Sequence, residues 1–129
     1  MSNQSRRSAM FAFRNAFRSP EMTAAEAVAK TATGELVLID IRDGSELAAS
    51  GKARGALHVP MAAFGMRCDP RSPECLPELG SGKPIAVYCA SGARSGMAKG
   101  MLKRFGYQDV HNIGGLAHWQ RAGGPVERA

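Results

Sequence analysis

Short apolar runs alternate with alanine-rich stretches along this chain, and the alternation predicts strands that are separated by helices. The segment from Thr23 to Glu26 has the pattern of a capping box, which predicts a short helix that ends near Gly34. Residues 36–41 are an apolar run with a single acid, as expected of a strand buried in a parallel sheet. The other predicted elements are a helix over residues 45–50, a short strand over 56–59, a central strand over 85–88, a helix over 93–105, a brief strand over 109–111 and a helix over 116–122. The predicted fold class is therefore α/β, with a central, mostly parallel sheet and helices on both faces.

Two details of this pattern concern the surroundings of the strand over residues 85–88. Proline and glycine interrupt residues 66–84, which are predicted to be rich in loops. The helix over residues 93–105 is predicted to stop at Gly106. Its predicted inward face consists of Met97, Met101, Leu102 and Phe105.

Residues 1–20 are predicted to be a basic N-terminal extension, and residues 21–129 the domain itself. The formal net charge is +6, but the extension holds four arginines and no acid, so the domain carries 13 basic and 11 acidic residues, or +2. A nearly neutral domain suits an enzyme that acts on small anions, and no nucleic-acid partner is expected. Met10, Phe13 and Phe17 would share one helical face. We favour docking of the extension on the domain or a partner subunit over contact with a membrane.

Cysteine usage bears on the cellular location. The three cysteines, Cys68, Cys75 and Cys89, are an odd number and do not form the pattern of a secreted disulfide framework. The apolar stretch that follows Arg6 and Arg7 is too short for a secretory signal, and no stretch approaches a transmembrane helix. We therefore expect a cytoplasmic protein.

The segment from Tyr88 to Ser95 carries the candidate chemistry. Cys89 leaves the carboxyl end of a predicted strand and enters a tight loop that opens a helix. The loop residues are Ala90, Ser91, Gly92, Ala93, Arg94 and Ser95. Successive main-chain N–H groups in such a loop can point at one centre, where the helix N-terminus adds partial positive charge. The pattern predicts an anion-binding nest around the Cys89 sulfur.

This setting predicts a reactive thiol. The nest should lower the pKa of Cys89 from the ordinary value of about 8.5 and enrich the thiolate. Arg94 could direct its guanidinium toward an oxyanion substrate, and the Ser95 hydroxyl could hydrogen-bond the sulfur or cap the helix. The hypothesis requires that the loop amides face inward and that the thiol keeps a path to solvent. The alternative is a buried cysteine that ends a core strand beside an ordinary turn.

The loop resembles the active-site loop of the rhodanese family, and further segments resemble that family in the same order. These segments are residues 38–42 with Glu46, residues 51–60, residues 105–107, residues 114–119 and residues 123–125, so that the likeness covers about residues 21–127. One departure is Lys52, which stands where the family usually has histidine; we expect it at the surface, with little effect on catalysis. The resemblance implies a rhodanese-like fold over residues 21–129.

The same resemblance implies a thiosulfate sulfurtransferase that works through a persulfide on Cys89. Residues 90–95 would donate amides to the bound sulfur or anion, Asp40 and Arg42 would support the site, and Trp119 would have a packing role. No cofactor and no metal are expected. A small anionic sulfur donor such as thiosulfate would supply the sulfur. A thiol or a protein would accept it, with cyanide as the acceptor in an assay.

The length of the loop separates two chemistries within this fold. Four residues lie between Cys89 and Arg94, as in the sulfurtransferase members, whereas the related dual-specificity phosphatases and arsenate reductases have one more. The loop also lacks an obvious general acid, so sulfur transfer is favoured over phosphate hydrolysis. The alternative from another class is a non-catalytic rhodanese-like module for interaction or sulfur delivery.

The remaining cysteines and the histidines are not expected to take part in catalysis. Cys68 and Cys75 could form a resolving or metal-binding pair with His58, but neither the spacing nor the ligand count fits a zinc site. We therefore expect two incidental thiols. His111 and His118 are expected to be packed or exposed side chains rather than bases.

Overall fold

The structure, a computed structural model, describes residues 21–129, so the expectations for the extension at residues 1–20 lie outside the described part. The helices are α1 (Ala24–Ala32), α2 (Gly44–Ser50), α3 (Phe64–Cys68), α4 (Ala93–Arg104) and α5 (Leu116–Arg121), with short 3-10 turns at Met61–Ala63 and Pro77–Gly80. The strands are β1 (Val37–Asp40), β2 (Lys52–Ala53), β3 (Leu57–His58), β4 (Ile85–Cys89), β5 (Val110–Gly115) and β6 (Val126–Glu127). None of these helices has the length and apolar character needed to span a membrane.

Four strands form the central sheet, in the order β3-β1-β4-β5. Each neighbouring pair is parallel, so the carboxyl ends of all four strands meet at one edge. Asp40, His58, Cys89 and Gly115 are the last residues of these strands. Edges of this kind are where open α/β sheets place their binding sites.

Side chains of β1 and β4 alternate between two apolar cores, as the two-residue period of a strand requires. Ile39 and Val87 belong to one core, together with residues of α3 and α4. Leu38 and Ala86 belong to the other, which includes residues of α1 and α5. Helices therefore cover both faces of the sheet, and the predicted α/β architecture is confirmed.

Helix α4 shows one wrong prediction. Met97 was expected to face inward, but its side chain is 65% exposed. The buried residues of α4 are Ser95, Ala98 and Leu102, which follow the three- and four-residue spacing of a helix face. Met97 precedes Ala98 by one position, and one position turns the side chain about 100° around the helix axis.

The structure also adds elements that the apolar pattern does not show. Strands β2 and β6 form an antiparallel ribbon in which Lys52 pairs with Glu127. Lys52 is half-buried rather than at the open surface, because its ammonium lies 2.7 Å from the Glu127 carboxylate. Strand β5 runs on to Gly115, well beyond the brief strand expected over residues 109–111.

Candidate active site

Cys89 ends β4, and the loop that follows it lies against the end of β5. Gly92 adopts a φ of 108°, in the left-handed region that favours glycine, and begins α4 as its N-cap. A Cβ on Gly115 would lie only 2.1 Å from the Ala90 carbonyl oxygen. A Cβ on Gly92 would lie 3.3 Å from Gly114 Cα. The loop therefore packs closely against the backbone of β5.

The loop curls inward around the sulfur. The main-chain N–H of Gly92 donates to Cys89 Sγ at 3.0 Å, and that of Ser95 donates at 3.4 Å. The Ser95 hydroxyl oxygen lies 3.3 Å from the same sulfur. Several hydrogen-bond donors thus converge on one atom, which is the geometry of an anion nest.

Opposing influences act on the pKa of Cys89. Burial raises it, but the Ser95 hydroxyl and the main-chain N–H groups of Ser95, Gly92 and Ser91 together outweigh burial. The pKa of the Cys89 thiol therefore lies below its ordinary value, and these donors favour the thiolate.

The expected path from solvent to the thiol is closed in this conformation. Cys89 is 0% exposed, whereas Ala90, Ser91 and Ala93 in the loop above it are exposed. The reason is the inward curl itself, because the same turn that brings the Gly92 N–H to the sulfur also covers it.

Arg94 does not point freely into the loop, because Glu46 of α2 holds it. Its terminal nitrogens Nη1 and Nη2 donate to the two carboxylate oxygens of Glu46 at 2.7 and 2.8 Å. The hydrogen bonds from Arg94, followed by that from the Asp43 main chain, lower the pKa of Glu46 to about 2. An oxyanion substrate at Arg94 would compete with this fork-to-fork pair.

The pairing gives Glu46→Gln a defined pH dependence. The folded-state pKa of Glu46 is lower than its ordinary 4.5, so the charged pair stabilises the fold above about pH 4.5. This contribution is lost as the pH falls from about 4.5 toward 2. We expect the variant to have the lower free energy of unfolding at pH 7, with the difference shrinking below pH 4.5. Urea unfolding of both proteins between pH 7 and pH 3 measures this, and a constant difference would contradict it.

A buried ion pair lies beside the site at the end of β1. Asp40 is 0% exposed and Arg42 3% exposed, and Arg42 Nη2 donates to Asp40 Oδ2 at 2.8 Å. The Tyr88 hydroxyl donates to the same oxygen at 2.5 Å, and Arg42 Nη2 also reaches the Gly51 carbonyl oxygen at 2.5 Å. The pair thereby ties β4, directly before Cys89, to the end of α2.

The family follows from the comparison of this chain with known proteins. Residues 23–122 match the model of the rhodanese-like domain. The chain belongs to the rhodanese-like domain family. It is 35% identical over 95 residues to a sulfurtransferase of Allochromatium vinosum, across 73% of this chain and 80% of that protein. It is 34% identical over 98 residues to a thiosulfate sulfurtransferase of Actinobacillus succinogenes, across 75% of this chain and 80% of that protein.

A solved structure shares the fold of this chain. A protein of unknown function from Rhodopseudomonas palustris, described as a possible tyrosine phosphatase, superposes with a TM-score of 0.73. It is 34% identical, and the match covers 83% of each chain. The relatives named as sulfurtransferases support sulfurtransferase activity in general for this rhodanese-like domain.

The other two cysteines, Cys68 and Cys75, do not belong to the Cys89 loop. Cys68 is 0% exposed, and burial raises the pKa of its thiol to about 12. Cys75 Sγ lies 3.7 Å from the Tyr107 hydroxyl, which itself donates to the Cys68 carbonyl oxygen at 2.7 Å. Within residues 21–129, no group of three or more His, Cys, Asp or Glu side chains is placed to hold a metal ion.

The histidines have structural contacts. His58 Nε2 lies 2.6 Å from the Arg42 carbonyl oxygen. His111 contacts the Asp109 carboxylate at 2.6 Å, and the Gly115 N–H donates to His118 Nδ1 at 2.9 Å. Trp119 is buried, and its indole N–H donates to the Pro125 carbonyl oxygen at 2.8 Å.

Sequence reasoning missed two residues of the site. Glu46 was named only within a segment that resembles the rhodanese family, without a role, and its place in a capping box with Asp43 gives no hint of Arg94. Asn112 gave no signal except a polar residue near the end of a strand. In the structure its side-chain amide contacts both the Cys89 loop and Ser95.

Proposed function

We propose that this rhodanese-like domain is a sulfurtransferase that carries sulfane sulfur as a persulfide on Cys89. The observation that supports the proposal most directly is the convergence of the Gly92 and Ser95 N–H groups and the Ser95 hydroxyl on the Cys89 sulfur. Such donors stabilise negative charge on sulfur without supplying an acidic proton. A carrier of anionic sulfur needs this combination.

The reaction has two nucleophilic steps. The Cys89 thiolate attacks the outer sulfur of thiosulfate, a new S–S bond forms, and the S–S bond of thiosulfate breaks to release sulfite. A thiophilic acceptor then attacks the outer persulfide sulfur, takes it, and returns Cys89 as the thiolate. With cyanide as acceptor the product is thiocyanate. A low-molecular-weight thiol or a protein thiol is the proposed acceptor in the cell.

Access to the sulfur requires movement of the loop. Because Cys89 is 0% exposed, a donor reaches it only when residues 90–93 shift outward. Ala90, Ser91 and Ala93 are small and exposed, so their displacement uncovers little apolar surface. We further propose that Arg94 attracts the anionic donor while Glu46 fixes the position of its guanidinium.

The test is incubation of the purified protein with thiosulfate, followed by mass spectrometry of the Cys89 peptide and by a thiocyanate assay with cyanide. One added sulfur atom on Cys89 together with thiocyanate formation is the expected result. The adduct without turnover would favour a sulfur-delivery module instead. Neither adduct nor turnover would refute the proposal and favour a non-catalytic binding role.

Hydrolysis of phosphate esters is the competing chemistry, because one relative is described as a possible tyrosine phosphatase. Only four residues separate Cys89 from Arg94, and Arg94 is engaged by Glu46. We therefore expect no release of nitrophenol from p-nitrophenyl phosphate under conditions in which thiocyanate forms. Phosphatase turnover without thiocyanate formation would favour phosphate-ester hydrolysis over sulfur transfer as the function.

A further inference from the structure

Asn112 of β5 joins three parts of the Cys89 site. Its Nδ2 donates to the Gly92 carbonyl oxygen at 3.0 Å. Its Oδ1 accepts from the Ser95 hydroxyl at 2.7 Å and from the Gly114 N–H at 3.0 Å. These partners fix the orientation of the amide, because the reverse orientation would place two donors, Nδ2 and the Gly114 N–H, against each other.

An irregularity in the sheet creates this position. Val87 pairs with Asn112, but Cys89 pairs with Gly115, so the register shifts between the two pairs. Such a bulge re-aims the side chains beside it. The bulge brings Asn112, which is half-buried, under the start of α4.

The Ser95 hydroxyl has a single proton and several acceptors around it. Asn112 Oδ1 lies at 2.7 Å, Cys89 Sγ at 3.3 Å and the Gly114 carbonyl oxygen at 3.4 Å. The shortest contact takes the proton, so Ser95 donates to Asn112 and offers a lone pair to Cys89. In that arrangement the Ser95 oxygen can accept from the thiol S–H, and the hydroxyl stabilises the thiolate only when its proton turns from Asn112 toward the sulfur.

We propose that Asn112 is a positioning residue that competes with the Cys89 sulfur for the single proton of the Ser95 hydroxyl. When Cys89 ionises, its own proton passes to solvent in a transient opening of the loop, and in the closed loop the Ser95 O–H then points to Sγ instead of Asn112 Oδ1. No covalent bond other than the S–H bond breaks. The amide keeps its contacts with Gly92 and Gly114 and holds the loop during this change. Asn112 therefore sets how much thiolate the resting site contains.

The charged groups around Cys89 would not account for a change in its thiolate fraction when Asn112 is replaced. Arg94 follows in α4 and is paired with Glu46 of α2, while Asp40 and Arg42 neutralise each other at the end of β1. On the side of β5 the titratable groups include His118, which accepts from the Gly115 N–H rather than from Ser95. Glu21 also lies there: its carboxylate accepts from the Asn112 main-chain N–H and contacts Lys99 and His111. Substitution of Asn112 leaves each of these groups in place.

The test follows the alkylation of Cys89 by iodoacetamide over a range of pH, with mass spectrometry of the Cys89 peptide to exclude Cys68 and Cys75. The plateau rate at high pH reports access to the sulfur. The rate well below the midpoint, divided by the plateau rate, reports the thiolate fraction. We expect Asn112→Ala to raise this ratio about two- to tenfold, the effect of freeing one neutral hydrogen bond for the sulfur.

A purely structural role predicts the opposite sign, because a loosened loop withdraws its N–H donors and lowers the thiolate fraction. A double-mutant cycle completes the test. In a Ser95→Ala background, Asn112→Ala should no longer raise the ratio. An unchanged or lower ratio in the single variant, or an equal rise in the Ser95→Ala background, overturns the proposal.

A second variant keeps the proposal testable if Asn112→Ala does not fold. Asn112→Asp keeps both acceptor contacts but loses the donation from Nδ2 to the Gly92 carbonyl oxygen. It holds the Ser95 proton more strongly, so the ratio should fall, and it should fall less in the Ser95→Ala background. A rise, or an equal fall in both backgrounds, would contradict the proposal. The inference rests on Cys89 as the reacting group of the proposed function, but alkylation needs no turnover. A protein that shows the expected alkylation and no sulfur transfer would therefore refute the proposed function alone.

Discussion

Cys89→Ser is expected to lower the formation of thiocyanate from thiosulfate and cyanide by roughly 10³-fold or more, because it removes the nucleophile itself. A serine hydroxyl in the same nest stays protonated, and the oxygen cannot form the S–S bond that stores the transferred sulfur. The substitution is nearly isosteric, and the contacts of the Gly92 and Ser95 N–H groups can be kept. The measurement is initial rates of thiocyanate formation, together with the mass of the Cys89 peptide after exposure to thiosulfate.

Cys75→Ser is the matched control for that experiment. The same substitution is made at a half-buried thiol that contacts Tyr107 rather than the Cys89 loop. We expect its rate to be close to that of the wild-type protein. Normal rates in Cys89→Ser, or a comparable loss in Cys75→Ser, would remove Cys89 from the role of sulfur carrier.

Arg42→Ala is expected to cost about 3 to 5 kcal/mol of the free energy of unfolding, because it leaves the Asp40 carboxylate buried without its counter-charge. Asp40 is 0% exposed and keeps only the Tyr88 hydroxyl and the main-chain N–H of residue 42 as donors. The loss is a large share of the stability of a domain of this size. Urea unfolding at neutral pH measures it. Arg42→Lys, which keeps the charge, should lose less.

The chain contains an unusually close control for this prediction. Asp69 and Arg71 repeat the geometry of Asp40 and Arg42. In both pairs the main-chain N–H of the arginine donates a hydrogen bond of 2.9 Å to the aspartate carboxylate. The difference is exposure, since the Arg71 side chain is 86% exposed and that of Arg42 only 3%. Arg71→Ala should lower the free energy of unfolding far less than Arg42→Ala does. Equal losses in the two alanine variants would show that burial does not govern the strength of this motif.

The helices and strands around the site could be predicted because their signals lie within a few residues. The Thr23–Glu26 capping box forms both of its hydrogen bonds, and α1 begins there. The apolar run before Asp40 is a buried strand, and the strand before Cys89 lies inside the sheet. These patterns depend on backbone propensity and on the burial of both faces, which local composition records.

Contacts between distant segments could not be predicted in this way. Strands β2 and β6 are two residues each and pair across about 75 positions of the chain, so neither carries a periodic signal. Met97 was placed on the wrong side of α4 because the apolar pattern does not show which stripe meets the sheet. Glu46 contacts Arg94, which lies 48 positions further along the chain. The residues next to either one in the sequence do not indicate this pair.

The amino-acid sequence is enough to predict that a strand ends at Cys89, that a loop of small residues follows, and that a helix begins directly after it. The backbone freedom of Gly92 and the period of the flanking apolar residues are sufficient for that much. The packing of separate elements is needed to see that the sulfur is covered, that Arg94 is paired with Glu46, and that Asn112 accepts a hydrogen bond from the Ser95 hydroxyl. Burial and hydrogen bonding between separate elements depend on how those elements pack, and the shifted register of β5 is a property of that packing.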